Sequence, residues 1–220
     1  MSLYTISASA LSIPIATPSD TILVESANVE LLAALASTTI DEVTRRLAND
    51  NQAFVAYVKG QPAAFGWVAK GKARIGELNH EMILPVGHRY LWNFRTSSEF
   101  RGRGIYPALL NHILRLEPAQ ARRFWIIHAP ENKSSRSGIV KAGFQYVGRL
   151  YSSEGKAHID LNSNTHHFKS DLEQLGIEVS QEQPASCWNC TSPYLKKRQA
   201  ECCCSPEGVR CAIENSIAIL

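Results

Sequence analysis

The sequence predicts an α/β fold, and three observations carry that prediction. Segments with strand character recur from residue 52 to residue 161, helix-spaced apolar segments separate several of them, and one run joins the two kinds of element directly. That run, residues 94–110, reads FRTSSEFRGRGIYPALL. Phe94 and Thr96 suit a strand, whereas Pro107, Ala108, Leu109, Leu110, Ile113 and Leu114 suit a helix with one buried face.

The first twenty residues mix serine, alanine and two prolines with apolar residues and read as a first strand or a loosely attached arm. Leu31, Leu32, Leu35 and Ala36, then Ile40, Val43, Leu47 and Ala48, predict two short amphipathic helices around Ser37-Thr38-Thr39, suited to one wall of a substrate cleft. Residues 52–58 and 62–68 read as an antiparallel strand pair joined by Lys59-Gly60-Gln61. Residues 73–84 suit another strand or hairpin limb, and Pro85-Val86-Gly87 marks a break before a strand over 88–96. After the helix over 107–116, Phe124-Trp125-Ile126-Ile127-His128 reads as a buried strand. Asn132 opens a polar turn, Ile139, Val140 and Ala142 give the next helix its apolar face, and Gly143 ends it. Residues 144–151 and 157–161 read as two further strands.

A chain of 220 residues accommodates one substantial core and a small appendage. The expected division is an arm or first strand over 1–20, a main domain over 21–164 and a cysteine-rich extension over 165–220. The formal charge of +3 is mild and the charges are mixed in sign, so neither nucleic acid nor a membrane is indicated as a partner. No apolar stretch is long enough for an ordinary transmembrane helix and no basic segment leads into a secretory one, so the expected location is cytoplasmic. Oligomeric state is open, with a homodimer as one option.

Between Phe94 and Pro107 lie Arg101, Gly102, Arg103 and Gly104, followed by Ile105 and Tyr106. Glycines let the chain turn tightly and let a ligand approach the backbone, and the free N–H groups of a helix's first turn attract phosphate. A dinucleotide fingerprint would need a third glycine where Pro107 stands. By spacing alone an ordinary turn and a phosphate site are about equally supported.

These residues resemble the nucleotide-binding motif of the GCN5-related N-acetyltransferase family, Arg/Gln-x-x-Gly-x-Gly/Ala. Arg101, Gly104 and Tyr106 stand at its marked positions, with Tyr106 replacing a small residue. A second segment, from Asn132 through Lys-Ser-Ser-Arg-Ser-Gly-Ile-Val-Lys-Ala to Gly143-Phe144, resembles the family's asparagine, helix and terminal glycine-phenylalanine. The resemblance spans roughly residues 27–160, and the paired segments are more specific than either alone. It implies a mixed sheet with flanking helices and acetyl-coenzyme A, or another acyl-coenzyme A, as co-substrate. Residues 100–106, including Arg101, Gly102, Arg103, Gly104, Ile105 and Tyr106, would bind its pyrophosphate. The strand end at Phe94 and Thr96, together with Asn132, would meet the pantetheine arm, Asn132 also serving as a helix cap. The reaction implied is direct attack of a primary amine on the thioester.

The family's frequent tyrosine general acid falls here at Ile139, which has no proton to donate. Tyr146 and Tyr151 are substitutes outside that position, with core or strand-surface packing as their plainer roles. Glu77, His80 and Glu81 are the closest candidates for a general base, since strand alternation would send Glu77 and Glu81 to one face. His128, at the end of its strand, is another, against a structural role. Trp67, Trp92 and Trp125 could wall an acceptor pocket or belong to the core. No acidic cavity for a polyamine and no peptide groove is evident, which favours a small-molecule amine over a protein amine.

All six cysteines lie between Cys187 and Cys211. Cys187-x-x-Cys190 resembles half a zinc knuckle, and the Cys202-Cys203-Cys204 cluster with Cys211 offers several choices of opposing ligands for a structural zinc, Cys204 and Cys211 among them. Iron–sulfur ligation, a local disulfide and reversible thiol chemistry are alternatives. The leading functional expectation is an N-acyltransferase. The alternatives are a non-catalytic acyl-coenzyme A sensor or interaction domain and, from Lys196, Lys197 and Arg198, a metal-tailed nucleic-acid adaptor.

Overall fold

Each helix and turn that positions the sheet has a local cause. The chain runs β1 (Ser2–Ser7), β2 (Thr21–Ser26), α1 (Val29–Ala36), α2 (Ile40–Ala48), β3 (Asn51–Val58), β4 (Gln61–Ala69), β5 (Lys72–Ile75), β6 (His80–Ile83) and β7 (His88–Thr96). It continues with α3 (Ile105–Leu116), β8 (Arg123–His128), α4 (Lys133–Lys141), β9 (Gln145–Ser153), β10 (Lys156–Leu161), α5 (Lys169–Gln174) and β11 (Glu178–Val179). This is a computed structural model that describes residues 1–11, 15–116, 121–129, 132–153, 155–161 and 163–180. Helix α1 begins where Asn28 Oδ1 accepts the Leu31 N–H at 2.8 Å, and α2 where Thr39 Oγ1 accepts the Glu42 N–H at 3.2 Å. Between β3 and β4, Lys59 and Gly60 both take positive φ, 51° and 78°, the turn whose twist matches that of the flanking strands.

Among the described residues, nine strands form one sheet in the order β11-β10-β9-β1-β8-β7-β4-β3-β2, and β5 and β6 form a separate hairpin. The pairs β7/β8 and β10/β11 are parallel and the others antiparallel. It is a mixed sheet flanked by helices, as expected. One face is covered by α3 and α4, with Leu109, Leu110, Ile113 and Ile139 packed on Phe54, Leu91, Phe124 and Ile126. The other is covered by α1 and α2 at one end, through Leu32 and Val43 on Trp67, and at the other by the β5/β6 hairpin and the segment 163–177, through Met82, Phe168 and Leu172.

Three parts of this arrangement go beyond the sequence reading. Residues 2–7 are an inner strand between β8 and β9, where Thr5 Oγ1 donates to the Phe124 carbonyl at 2.8 Å. Both of its faces are buried, so no alternation marked it. Residues 163–180 close the sheet, with Leu172, Leu175 and Ile177 fully buried, and the i, i+4, i+7 spacing of Phe168, Leu172 and Leu175 before Gly176 is a helix signal that assignment of the segment to the extension passes over. Residues 73–84 do not form one strand. The chain reverses through a short 3-10 turn, Gly76–Leu78, and Asn79 at φ 49°. Glu77 therefore sits in the turn and Glu81 in β6, and the strand alternation expected to align them does not exist.

Candidate active site

The two parallel strands at the centre of the sheet do not stay together. Pairing of β7 with β8 stops at Leu91–Ile126, while β7 runs on to Thr96 and β8 to His128. On its other side β7 stays paired to β4 through a bulge. Trp67 faces Trp92 and Phe65 faces Arg95, so Asn93 and Phe94 oppose the single residue Gly66. Asn93 absorbs the extra residue at φ 50°, a conformation asparagine tolerates better than most side chains. Gly66 has no side chain because the Phe94 ring lies where a Cβ would be. The bulge and the parting leave the β8-facing backbone groups of β7 beyond Leu91 without a strand partner, at the middle of the sheet.

A cleft of about 580 Å³ opens on the α3/α4 side of this gap. Phe94, Thr96, Arg101, Gly102, Gly104, Ile105, Tyr106 and Asn132 all line it. Its basic lining residues are Arg95, Arg101 and Lys141, none of its lining residues is acidic, and Ser134, Ser135 and Ser137 add hydroxyls. Gly102 and Gly104 both adopt φ 76°, which carries the chain from β7 into α3. At the start of α3 the Ala108 N–H is taken by the Gly104 carbonyl at 3.2 Å and Pro107 has none, which leaves the N–H groups of Ile105 and Tyr106 without an intrahelical acceptor. Arg95 points its guanidinium to Ser37 Oγ at 3.2 Å, beyond α1, so backbone donors, a helix N-terminus and the cations of Arg101 and Lys141 make this cleft suited to a phosphorylated ligand. Arg101 also braces the turn, its Nε donating to the Thr96 carbonyl at 3.1 Å. Arg103 is absent from the lining and lies over the Phe100 ring, 5.4 Å from its centroid.

Tyr106 is accommodated by its neighbours. Its ring lies across Gly138 of α4, its hydroxyl is 3.4 Å from Ser135 Oγ, and its edge meets Phe94 at a centroid distance of 5.6 Å. Burial pushes its pKa up to about 12. The bulk at this position is thus matched by a missing side chain on the facing helix. Asn132 caps α4, with Oδ1 accepting from the Ser135 N–H and the Ser134 hydroxyl, both at 3.0 Å.

A second cleft, of about 860 Å³, opens on the opposite face. One wall is α2, with Glu42, Arg45 and Arg46, and the other is the β5/β6 hairpin, with Lys72, Arg74 and Glu81. Tyr90, Trp92, Asn93 and Ile127 form its floor, so β7 contributes Asn93 to this cleft and Phe94 to the other. Glu42 accepts from Arg45 Nη2 at 2.7 Å and from Arg46 Nε at 2.8 Å, which holds its carboxyl below the usual range. Arg46 lies over both Trp92 and Trp67, at 4.8 and 5.4 Å.

Of the six residues considered for proton transfer, Glu81 lines this second cleft, whereas His80 Nε2 meets the Leu175 carbonyl at 2.9 Å and Tyr151 stacks on His158. Glu77 lies in the adjacent turn. His128 is 5% exposed, Tyr146 is 41% exposed, and both meet Tyr4 edge-on, at 6.0 and 5.5 Å. Neither lines either cleft, and burial raises the Tyr146 pKa. Ile139 is fully buried in the core. Trp67 and Trp125 are core residues, whereas Trp92 is on the cleft floor. Sequence reasoning missed Glu42, Arg45, Arg46, Arg74 and Asn93. The Glu42, Arg45 and Arg46 spacing reads equally well as a solvated helix face, and nothing local marks Asn93 as a bulge. The cysteine ligands Cys187, Cys190, Cys204 and Cys211 fall outside the described residues. Among the described residues no group of three or more His, Cys, Asp and Glu side chains is placed to hold a metal, and no helix is long and apolar enough to cross a membrane.

Residues 23–144 match the model of the acetyltransferase (GNAT) family. The chain belongs to that family. Both clefts and the parted strands fall largely within the matched span. No curated protein matches the chain. Solved GNAT-like structures are distant. A functionally unknown conserved protein from Staphylococcus epidermidis is 18% identical, with 66% of this chain and 56% of that one aligned at a TM-score of 0.45. A GCN5-related N-acetyltransferase from Kribbella flavida is 14% identical, with 66% and 53% aligned and a TM-score of 0.44. A predicted acetyltransferase from Clostridium acetobutylicum, solved with acetyl-CoA, is 17% identical, with 57% and 90% aligned and a TM-score of 0.42. The chain spans somewhat more than half the length of the first two.

Proposed function

We propose that this GNAT-family chain is an acyl-coenzyme A-dependent N-acyltransferase that transfers an acetyl group to a small-molecule primary amine. The observation that carries the reading is the gap between β7 and β8, which has an anion-suited cleft on one face and, on the other, a polar cleft lined by both carboxylates and cations. Gly102, Gly104 and the free N–H groups of Ile105 and Tyr106 would hold the pyrophosphate, with Arg101 and Lys141 adding charge. The unpaired edge of β7 around Phe94 and Thr96 would take the pantetheine as if it were a strand, beside Asn132. Bound there, the co-substrate supplies an acyl group activated as a thioester.

The amine enters from the second cleft. As its nitrogen bonds to the carbonyl carbon it must lose a proton, and Glu81 is the lining carboxylate available to accept it, because Glu42 is held ionised by two arginines. A β7 backbone N–H at the gap stabilises the oxyanion, the C–S bond breaks, and the thiolate takes up a proton from water. Much of the rate enhancement comes from holding amine and thioester in line.

The test is calorimetric titration with acetyl-coenzyme A, followed by an amine panel monitored by thiol release and product mass. Binding with amine-dependent acylation is expected. Tight binding with no transfer across varied amines and acyl donors would favour the second reading, a non-catalytic acyl-coenzyme A sensor, which Ile139 at the family's tyrosine position supports. No binding would refute both.

A further inference from the structure

We infer that the acceptor amine also carries a carboxylate, which the second cleft binds through its arginine and lysine side chains while the amine reaches the strand gap. This deepens the reading above and rests on it. Four basic side chains, Arg45, Arg46, Lys72 and Arg74, line the cleft against two carboxylates, Glu42 and Glu81. The carboxylates do not neutralise the excess. Glu42 is shared by Arg45 and Arg46, so one carboxylate serves two guanidinium groups.

Arg74 and Glu81 are opposite each other in the β5/β6 register, the position where a cross-strand ion pair is expected. Arg74 instead donates its Nη2 to Asn79 Oδ1 at 2.5 Å. The Lys72 side chain, on a residue paired to Ile83 in the hairpin, makes no ion pair or hydrogen bond among the described residues. Arg46 is pinned between Glu42 and the Trp67/Trp92 rings, and its Nη1 is buried without a protein partner. That atom lies beneath the cleft surface, so the cations presented to a ligand carboxylate are chiefly Lys72 and Arg74, neither of which is matched by a protein carboxylate.

The layout also gives the ligand a direction. Cations stand on both walls, α2 and the β5/β6 hairpin, whereas the floor at Trp92 and Asn93 leads to the gap. An acceptor held by its carboxylate at the walls would lay its carbon chain over Trp92 and turn its amine toward the gap. A diamine or polyamine would place a second cation among unneutralised arginines, where like-charge repulsion opposes binding.

The experiment compares glycine, leucine and γ-aminobutyrate, each against its own carboxamide, with putrescine as a dicationic control. Affinity is measured by calorimetry without the co-substrate, and kcat/KM by thiol release with acetyl-coenzyme A. At least one carboxylate should bind and react about tenfold or more better than its amide, the worth of one charge-assisted contact. The double variant Lys72→Glu/Arg74→Glu should reverse that order, and its circular dichroism and acetyl-coenzyme A affinity report whether the fold is kept. Carboxamides or putrescine binding as well as the carboxylates would overturn the inference even if acylation is seen. Absence of acylation with every amine would instead count against the transferase reading, and the binding series without co-substrate still decides the carboxylate preference.

Discussion

Gly138→Ala should change sign in its effect on stability depending on whether Tyr106 is present. Gly138 is a buried position inside α4, where replacing glycine by alanine normally stabilises a helix by about 1 kcal/mol. In this protein a Cβ at that position would lie 2.6 Å from Tyr106 Cε1, inside van der Waals contact. The ring has little room to retreat, being edge-on to Phe94 and hydroxyl-to-hydroxyl with Ser135. Overpacking of this kind costs roughly 1–3 kcal/mol. The net effect in the native background is therefore a loss of about 1 kcal/mol, or about 2–4 °C in Tm for a chain of this size. With Tyr106→Ala in place the overlap is gone, and Gly138→Ala should then stabilise by about 0.5–1 kcal/mol. The coupling in a double-mutant cycle, measured by urea denaturation, should reach about 1–3 kcal/mol. Because Tyr106 lines the first cleft, Gly138→Ala alone should also weaken acetyl-coenzyme A binding. Stabilisation by Gly138→Ala in the native background, with no coupling to Tyr106, would refute the packing argument.

Gly104→Val places a β-branched residue at φ 76°, a strain of about 1–3 kcal/mol, and should weaken acetyl-coenzyme A binding by calorimetry more than Arg103→Ala, whose side chain rests on Phe100 outside the cleft. Equal, native-like affinities would contradict the phosphate-turn assignment. Glu81→Gln should lower kcat about a hundredfold or more while leaving acetyl-coenzyme A affinity unchanged, and an unaltered kcat would remove Glu81 as base. Glu42→Gln should destabilise at neutral pH by about 0.3–1 kcal/mol, the worth of exposed helix ion pairs. Since Arg45 and Arg46 hold the folded-state pKa of Glu42 below its unfolded value, its contribution is full above the ordinary carboxylate range and lost as pH falls through the folded pKa. The gap between native protein and variant in denaturation midpoint should accordingly close in acid, and a gap that persists there would rule out the ion pairs as its source.

Local patterning determined much of the molecule from sequence alone. The Lys59-Gly60 turn, the helix spacing from Leu31 to Ala48 and the glycine-broken passage from Thr96 to Pro107 each specify their own geometry through neighbours within a few residues, and the structure has an element at each. The first cleft was legible for the same reason: most of its lining residues come from two contiguous segments, 94–107 and 132–141. The second cleft was not. It assembles α2, the β5/β6 hairpin and the middle of β7, which meet only because the sheet brings them together. The strand signal over 73–84 concealed a reversal at Gly76 and Asn79, and that reversal separates Glu77 from Glu81. The bulge at Asn93 depends on Gly66 in another strand making room for Phe94, and the bulk of Tyr106 depends on Gly138 in another helix. Such pairings follow from long-range packing, in which one residue's conformation is set by a neighbour distant in the chain, so only the tertiary structure could decide them.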